Sequence, residues 1–178
     1  MKTLPDYLAL DLDILFVGIN PSVASSVKGH YYANPRNRFW RAFNLAGFIP
    51  VPLSPETDYR VLEFGIGLTD LARRPSKGVN ELRAEDFRVG ARVLRKKLRL
   101  YRPRIVCFQG ISAFLKYLRY TQDFRVPISP GIQLSAPGEP VIFAMPSPSP
   151  ANAIVSLDEL VWWYMQVKRL RDEYALPA

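Results

Sequence analysis

A chain of 178 residues with 48% hydrophobic and 22% charged residues has an ordinary globular balance and the length of a single domain, spanning 1–178. Such a chain can bury roughly two thirds of its unfolded surface without covalent staples. Its 24 Lys and Arg against 16 Asp and Glu leave a formal charge of +8, which favours a polyanionic partner.

One cysteine, Cys107, excludes an intrachain disulfide and any cysteine-ligated metal cluster within one chain. Its apolar neighbours in Ile105-Val106-Cys107-Phe108 mark it as a small core residue of a strand. The amino-terminal stretch is interrupted by Pro5, Asp6, Asp11 and Asp13, and no later apolar run approaches a membrane span. These features predict a soluble, intracellular protein.

In chain order, a buried strand is expected from Asp13 to Val17, breaking at Gly18 into a long polar loop. Asn34-Pro35 has the form of a cap followed by proline at the first helical position, so a helix is predicted from Pro35, with Phe39, Trp40 and Phe43 on its apolar face and Gly47 at its end. Pro50, Pro52 and Pro55 make an irregular crossing, followed by a short helix near Tyr59 to Glu63. Ile66 to Leu71 reads as a short strand ending in Thr69-Asp70, with a basic rim of Arg73, Arg74 and Lys77 beyond it. Phe87, Ala91, Leu94, Leu98 and Tyr101 recur at helical spacing, and the basic residues around them read as a solvated helix face.

A second buried strand covers Ile105 to Phe108, and Gln109-Gly110 turns into a helix from Ser112 to Tyr120. The stretch 121–140 is punctuated by prolines around one short strand at Ile132 to Ser135. Val141 to Met145 is another buried strand, and Pro146 to Pro150 forms a stiff loop carrying Ser147 and Ser149. Ser156 and Glu159 have capping-box spacing at the head of a last helix that buries Leu160, Tyr164, Val167 and Leu170. Alternating strands and helices predict a three-layer α/β/α sandwich with a mainly parallel central sheet.

In open α/β folds, ligands bind beyond the carboxyl ends of the strands. If the first and last buried strands are neighbours, the loops Gly18 to Asn34 and Pro146 to Ala153 face each other across one cleft. Pro21 stiffens the backbone at Asn20, holding a carboxamide at the lip of the sheet.

The segments GINPS at 18–22, KGHYY at 28–32, NRFW at 37–40, FGIGLTDL at 64–71, YRPRIVCFQG at 101–110 and MPSPSPANA at 145–153 together resemble the mismatch-specific uracil-DNA glycosylase and thymine-DNA glycosylase family. The resemblance covers nearly the whole chain and implies a uracil-DNA glycosylase-like fold. It implies a monofunctional glycosylase that removes uracil, and less readily thymine or other damaged pyrimidines, from mispairs with guanine. The partner is then double-stranded DNA containing G:U or G:T mispairs, engaged by a monomer without metal or other cofactor. A single cysteine excludes the iron–sulfur branch of uracil glycosylases, which needs four such ligands. The expected location is the cytoplasm of a bacterium or archaeon, or the nucleus of a eukaryote.

By resemblance, Asn20 positions the attacking water, Tyr32 stacks on the extruded base, Gly18 and Ile19 contribute to base binding, and Ser25 faces the pyrimidine 5-position. Lys28, His30, Ser147 and Ser149 are expected against DNA, His30 either there or ordering its loop. Two positions depart from the family pattern. Asp70 stands where relatives carry lysine or asparagine, and is either a second base or a helix cap or partner of Arg73 or Arg74. Ala151 stands where relatives carry a bulky filler for the vacated base stack, so either the wedge is small or Asn152 substitutes for it and hydrogen-bonds the orphaned guanine. The rival readings are a non-catalytic damaged-DNA-binding relative and a nucleotide-binding α/β protein; no phosphate-binding glycine pattern supports the latter.

Overall fold

The computed structural model describes residues 2–121, 128–133 and 138–175. Five strands, β1 (Ile14–Gly18), β2 (Ile66–Asp70), β3 (Ile105–Gln109), β4 (Gly131–Gln133) and β5 (Val141–Met145), form one sheet in the order β2-β1-β3-β5-β4. All pairs are parallel except β4 with β5. Every residue of β1, β2 and β3 is buried, which is why β1 and the first four residues of β3 read as continuous apolar runs rather than alternating ones.

Among the described residues the helices are α1 (Val23–Lys28), α2 (Phe39–Leu45), α3 (Ala84–Tyr101), α4 (Ile111–Thr121) and α5 (Leu157–Ala175), with α2 to α5 on the two faces and 3₁₀ segments at Pro55–Phe64 and Val79–Glu81. Alternate strand residues face opposite layers. Ile14, Phe16, Ile66, Leu68, Cys107 and Met145 pack with α2 and α5, whereas Leu15, Val17, Val106, Phe108 and Ala144 pack with α3 and α4. The expected three-layer α/β/α architecture is therefore the observed one. Among the described residues no helix is long and apolar enough to cross a membrane.

Three local expectations and one condition differ from what is observed. A sixteen-residue loop was expected after Gly18, yet it holds α1, started by Ser22 accepting from the Ser25 N–H (3.1 Å) and closed at Gly29. Six residues of VASSVK are too few and too polar to show a helical period. The next helix starts at Phe39 rather than Pro35, because Asn34 Oδ1 accepts from the Arg36 N–H (3.0 Å) and Asn37 Oδ1 from the Phe39 N–H (2.9 Å). These side chains offer the backbone turns in place of helix. The condition that β1 and β5 be neighbours is not met, since β3 lies between them. The expected strand at Ile132 to Ser135 is observed as Gly131–Gln133, with Ser135 outside the described residues.

The basic residues of α3 lie on the helix behind the sheet. Several are engaged in ion pairs, including Arg88 with Glu85 and Lys97 with Asp6. The same helix closes on the end of β2 through Gly90, where a Cβ would fall 1.9 Å from the carbonyl oxygen of Leu71. Gly90→Ala must therefore move either α3 or the chain just past Asp70. We expect it to lower the unfolding free energy by about 1–3 kcal/mol in a denaturant titration, as overpacked cores do; an unchanged midpoint would contradict the close approach.

Candidate active site

Strands β2, β1, β3 and β5 end at one level, since Gly18 pairs with Asp70, Gln109 with Met145, and Val17 with Phe108 one residue earlier. A cleft of about 570 Å³ opens above this row. Gly18, Ile19, Asn20, Ser25, Tyr32, Asp70, Gln109, Ser147, Ser149, Ala151 and Asn152 all line it, so both expected loops meet there, with the end of β3 as the floor between them.

The first loop stays zipped to the chain after β2. Leu71 N–H donates to Gly18 O (2.9 Å), Ala72 N–H to Ile19 O (2.8 Å) and Ser76 N–H to Pro21 O (3.2 Å), carrying the parallel ladder past the sheet. Asn20 is fixed on this extension. Its Nδ2 shares its two protons among Pro21 O (3.0 Å), Arg74 O (3.0 Å) and Ser76 Oγ (2.8 Å), and Ser76 Oγ in turn donates to Gly78 O (2.8 Å). The donor half of the amide is saturated. Its Oδ1 has no protein donor among the described residues and remains an acceptor for a ligand or water.

Tyr32 adopts a left-handed backbone conformation with φ 54°, costly for a non-glycine residue by about 1–3 kcal/mol. Its neighbours impose it. Asp58, fully buried, accepts from the Tyr31 N–H (2.7 Å) and the Tyr7 hydroxyl (2.9 Å), Trp40 Nε1 donates to Tyr31 O (2.9 Å), and the Ala33 N–H donates to Ser25 Oγ (3.1 Å). Pinned on both sides, Tyr32 lays its ring on Phe39 at 4.0 Å between centroids and 17° between planes, while lining the cleft. Burial and the nearby Asp70 push its phenol pKa well up, so it stays a neutral O–H.

Asp70 ends β2 only 7% exposed. Neither basic neighbour claims it: Arg73 pairs with Asp6 (2.8 Å) and Arg74 with Asp86 (2.8 Å), and Asp70 caps no helix. The bland alternatives raised by the sequence thus fall away. Burial, then the charge of Asp6, raise its carboxyl from 3.8 to about 7, against the opposing pull of Arg73 and Lys97. Gly18 makes room for it, because a Cβ there would sit 2.3 Å from Asp70 Oδ1.

The second loop is held by one residue that the sequence did not single out. Arg38 donates from its backbone N–H to Pro148 O (3.1 Å) and from its guanidinium to the carbonyls of Ser149 (3.1 Å), Asn152 (2.7 Å) and Val155. Ser147 Oγ accepts from the Ser149 N–H (3.2 Å), Ser149 Oγ from the Ala151 N–H (3.3 Å), and Asn152 Nδ2 donates to Ser147 O (3.0 Å). A stiff loop with exposed Ala151 at its tip results.

Lys28 and His30 stand apart from the cleft. Lys28 is exposed in the last turn of α1, and His30 Nδ1 lies 3.2 Å from Asp58 Oδ1, which joins it to the cluster that pins Tyr31. Ser25 lines the cleft, but its oxygen is already engaged by Ser22 Oγ (3.0 Å) and the Ala33 N–H. Gln109 and Lys77 line the cleft without having been expected there. A polar residue directly after four apolar strand residues was the available signal for Gln109.

An acceptor amide, an aromatic ring and a buried carboxyl beyond the carboxyl ends of parallel strands define an α/β protein with a polar cleft at the position where such folds bind ligands. The family model of the Uracil DNA glycosylase superfamily matches residues 5–166, and the chain belongs to that superfamily. It is also similar to a solution NMR structure titled "putative Uracil DNA glycosylase" from Methanosarcina acetivorans, at 26% identity over 95% of this chain and 97% of that one, with a TM-score of 0.57.

The raised Asp70 carboxyl has a stability consequence. The folded state keeps the proton up to about pH 7 while the unfolded chain releases it near 3.8, so this contribution is full below pH 3.8 and is lost as pH rises through 7. Asp70→Asn should remove that loss, gaining roughly 2–3 kcal/mol relative to the wild type between pH 5 and pH 8 in denaturant titrations. A constant difference across that range would show a carboxylate ionised throughout.

Proposed function

We propose that this chain is a monofunctional DNA glycosylase, acting as a single-domain monomer, that hydrolyses the N-glycosidic bond of uracil mispaired with guanine. Thymine and other damaged pyrimidines opposite guanine are slower substrates, and the product is an abasic site. The observation that carries this proposal is the Asn20 amide, its donors tied to the protein and its acceptor oxygen left on a cleft shared with Tyr32 and Asp70.

A base inside a duplex cannot reach such a cleft, so the nucleotide must be extruded, at a cost of a few kcal/mol that is least at a mispair. Tyr32, backed by Phe39, offers a rigid face for the extruded base, an interaction of roughly 1–3 kcal/mol that tolerates different bases. Cleavage of the glycosidic bond passes through an oxocarbenium-like state that a positioned water can capture. Asn20 Oδ1 holds that water. Asp70, with a pKa close to neutrality, takes its proton as the bond forms. Ser147, Ser149 and the exposed Lys77 at the rim suit backbone phosphates, which position the duplex without reading its sequence. Asn152 and Ala151 stand at the tip facing the vacated stack.

Single-turnover excision on G:U, A:U and single-stranded uracil tests this directly. Asn20→Ala should slow G:U excision by about 10²-fold or more, and Tyr32→Ala should reduce excision far more than duplex affinity. In the wild type the rate should climb through pH 7 and level off above it, and Asp70→Asn should flatten that profile. Tight binding of the uracil duplex without cleavage at any pH would instead identify a damage reader.

A further inference from the structure

The positive charge of the chain is concentrated away from the cleft. From Phe87 to Arg104, through most of α3 and the turn beyond it, the sequence carries no Asp or Glu. Arg88, Lys97, Arg102 and Arg104 are neutralised by Glu85, Asp6, Asp11 and Asp13. Arg95 turns to the Thr121 carbonyl (3.2 Å). Arg92, Lys96 and Arg99 are exposed, and no ion pair among the described residues takes them. The neighbouring α4 adds Lys116 and Arg119 and no acid. On the opposite layer α5 mixes both signs, with Lys168 and Arg171 paired to Asp172, so it has the composition of an ordinary solvated face and α3 does not.

Positions 92, 96 and 99 follow steps of four and three, which puts them on one stripe of α3, opposite the core residues Phe87, Ala91, Leu94 and Leu98. At 1.5 Å per residue the stripe is about 10 Å long. Gly90 of α3 meets the Leu71 carbonyl just past β2, level with the cleft, whereas Tyr101 O accepts from the Asp11 N–H (2.8 Å) ahead of β1, at the other end of the sheet. Lys96 and Arg99 therefore lie about 9 and 14 Å below the level of Gly90. A straight duplex seated across the cleft passes above them. Beside the stripe, a concavity of about 440 Å³ is lined by Lys96, Lys97 and Tyr101 together with Asp6 and Leu8 of the amino-terminal segment.

We infer that this face of α3 is a second nucleic-acid contact, where Arg92, Lys96 and Arg99 hold the phosphate backbone of a duplex segment other than the one over the cleft. About 10 Å of duplex carries about six phosphate charges, enough acceptors for three cations. Guanidinium forks at both ends of the stripe match phosphate oxygens, and Lys96 supplies a point charge between them. Such a contact reads no sequence and weakens with salt. A lipid surface fits less well, because the apolar residues that an interfacial helix inserts are in α3 already buried against the sheet. With two contacts, the chain keeps hold of one segment while its cleft leaves another. The contact goes beyond the glycosylase reading and does not depend on what the cleft does.

The test is the stoichiometry with a uracil-free duplex about one helical turn long, measured by sedimentation at low salt. The wild type should bind two duplexes per chain, and the combined variant Arg92→Gln, Lys96→Gln, Arg99→Gln only one. The second event should weaken with a log–log salt slope of about −2.7, as three phosphate contacts require. Arg92→Lys with Arg99→Lys should keep both duplexes, which separates charge from any effect on folding. One duplex on the wild type at every salt concentration, or two on the Gln variant, overturns the inference. Binding to equimolar phosphatidylserine and phosphatidylcholine vesicles without a second duplex overturns it in favour of a membrane surface.

Excision separates this contact from the cleft. On a short G:U duplex with enzyme in excess, the Gln variant should cleave at the wild-type rate. A rate that falls with the loss of the three charges would place the stripe on the same duplex as the cleft, against the inference. A wild type that binds two duplexes but excises no uracil refutes the glycosylase proposal and leaves the second contact standing.

Discussion

The arrangement depends on the parallel ladder between β1 and β2 continuing beyond the sheet. Three backbone hydrogen bonds, from Leu71, Ala72 and Ser76 to Gly18, Ile19 and Pro21, tie the loop carrying Asn20 to the chain that follows Asp70. Because both segments are locked together, the amide and the carboxyl cannot drift independently. The same ladder brings Arg74 O and Ser76 Oγ to the Asn20 donors, so this side chain is oriented by the bonds that extend the sheet. Gly18 and Gly90 are two places where this arrangement tolerates no side chain: one makes room for the Asp70 carboxyl, the other lets α3 close on the Leu71 carbonyl.

Around that ladder, preorganisation is concentrated in buried charges and strained backbone. Asp58 gathers Tyr7, His30 and the Tyr31 N–H, and with Ser25 and Trp40 it holds Tyr32 in a conformation a free chain would avoid. Arg38 does the corresponding work for the opposite wall by collecting carbonyls from Pro148 to Val155. Both walls are thus set before any ligand arrives, which lowers the ordering cost of binding one. Leaving Asp70 buried without an ion-pair partner costs stability at neutral pH, and that is the usual environment in which a carboxyl keeps a pKa suited to proton transfer.

The parts of this fold that were legible in the sequence are those governed by burial. The central strands announce themselves as apolar runs, and α3 and α5 as periodic faces, because a continuous core dictates which positions must be apolar. Asn20, Tyr32 and Asp70 could be placed at strand ends or in the adjoining loop for the same reason. What escaped is set by polar groups acting over long separations in the chain. Nothing local distinguishes Arg38 from other arginines, since its acceptors lie more than a hundred residues away. Gln109 read as a turn residue because its partner, Tyr164, belongs to the last helix. α1 was hidden by its shortness, and the place of β3 between the two loops is a matter of topology that spacing does not encode.

The central claim is that Asn20 and Asp70 act on one water, the first by holding it and the second by taking its proton. A double-mutant cycle on single-turnover excision of uracil opposite guanine addresses this most directly, comparing Asn20→Ala, Asp70→Asn and the combined variant. Groups that serve the same water are strongly non-additive. The combined variant should be no more than about threefold slower than the slower single variant. Losses that multiply in full, or an Asp70→Asn rate equal to wild type above pH 7, would show that the two side chains do not share a step.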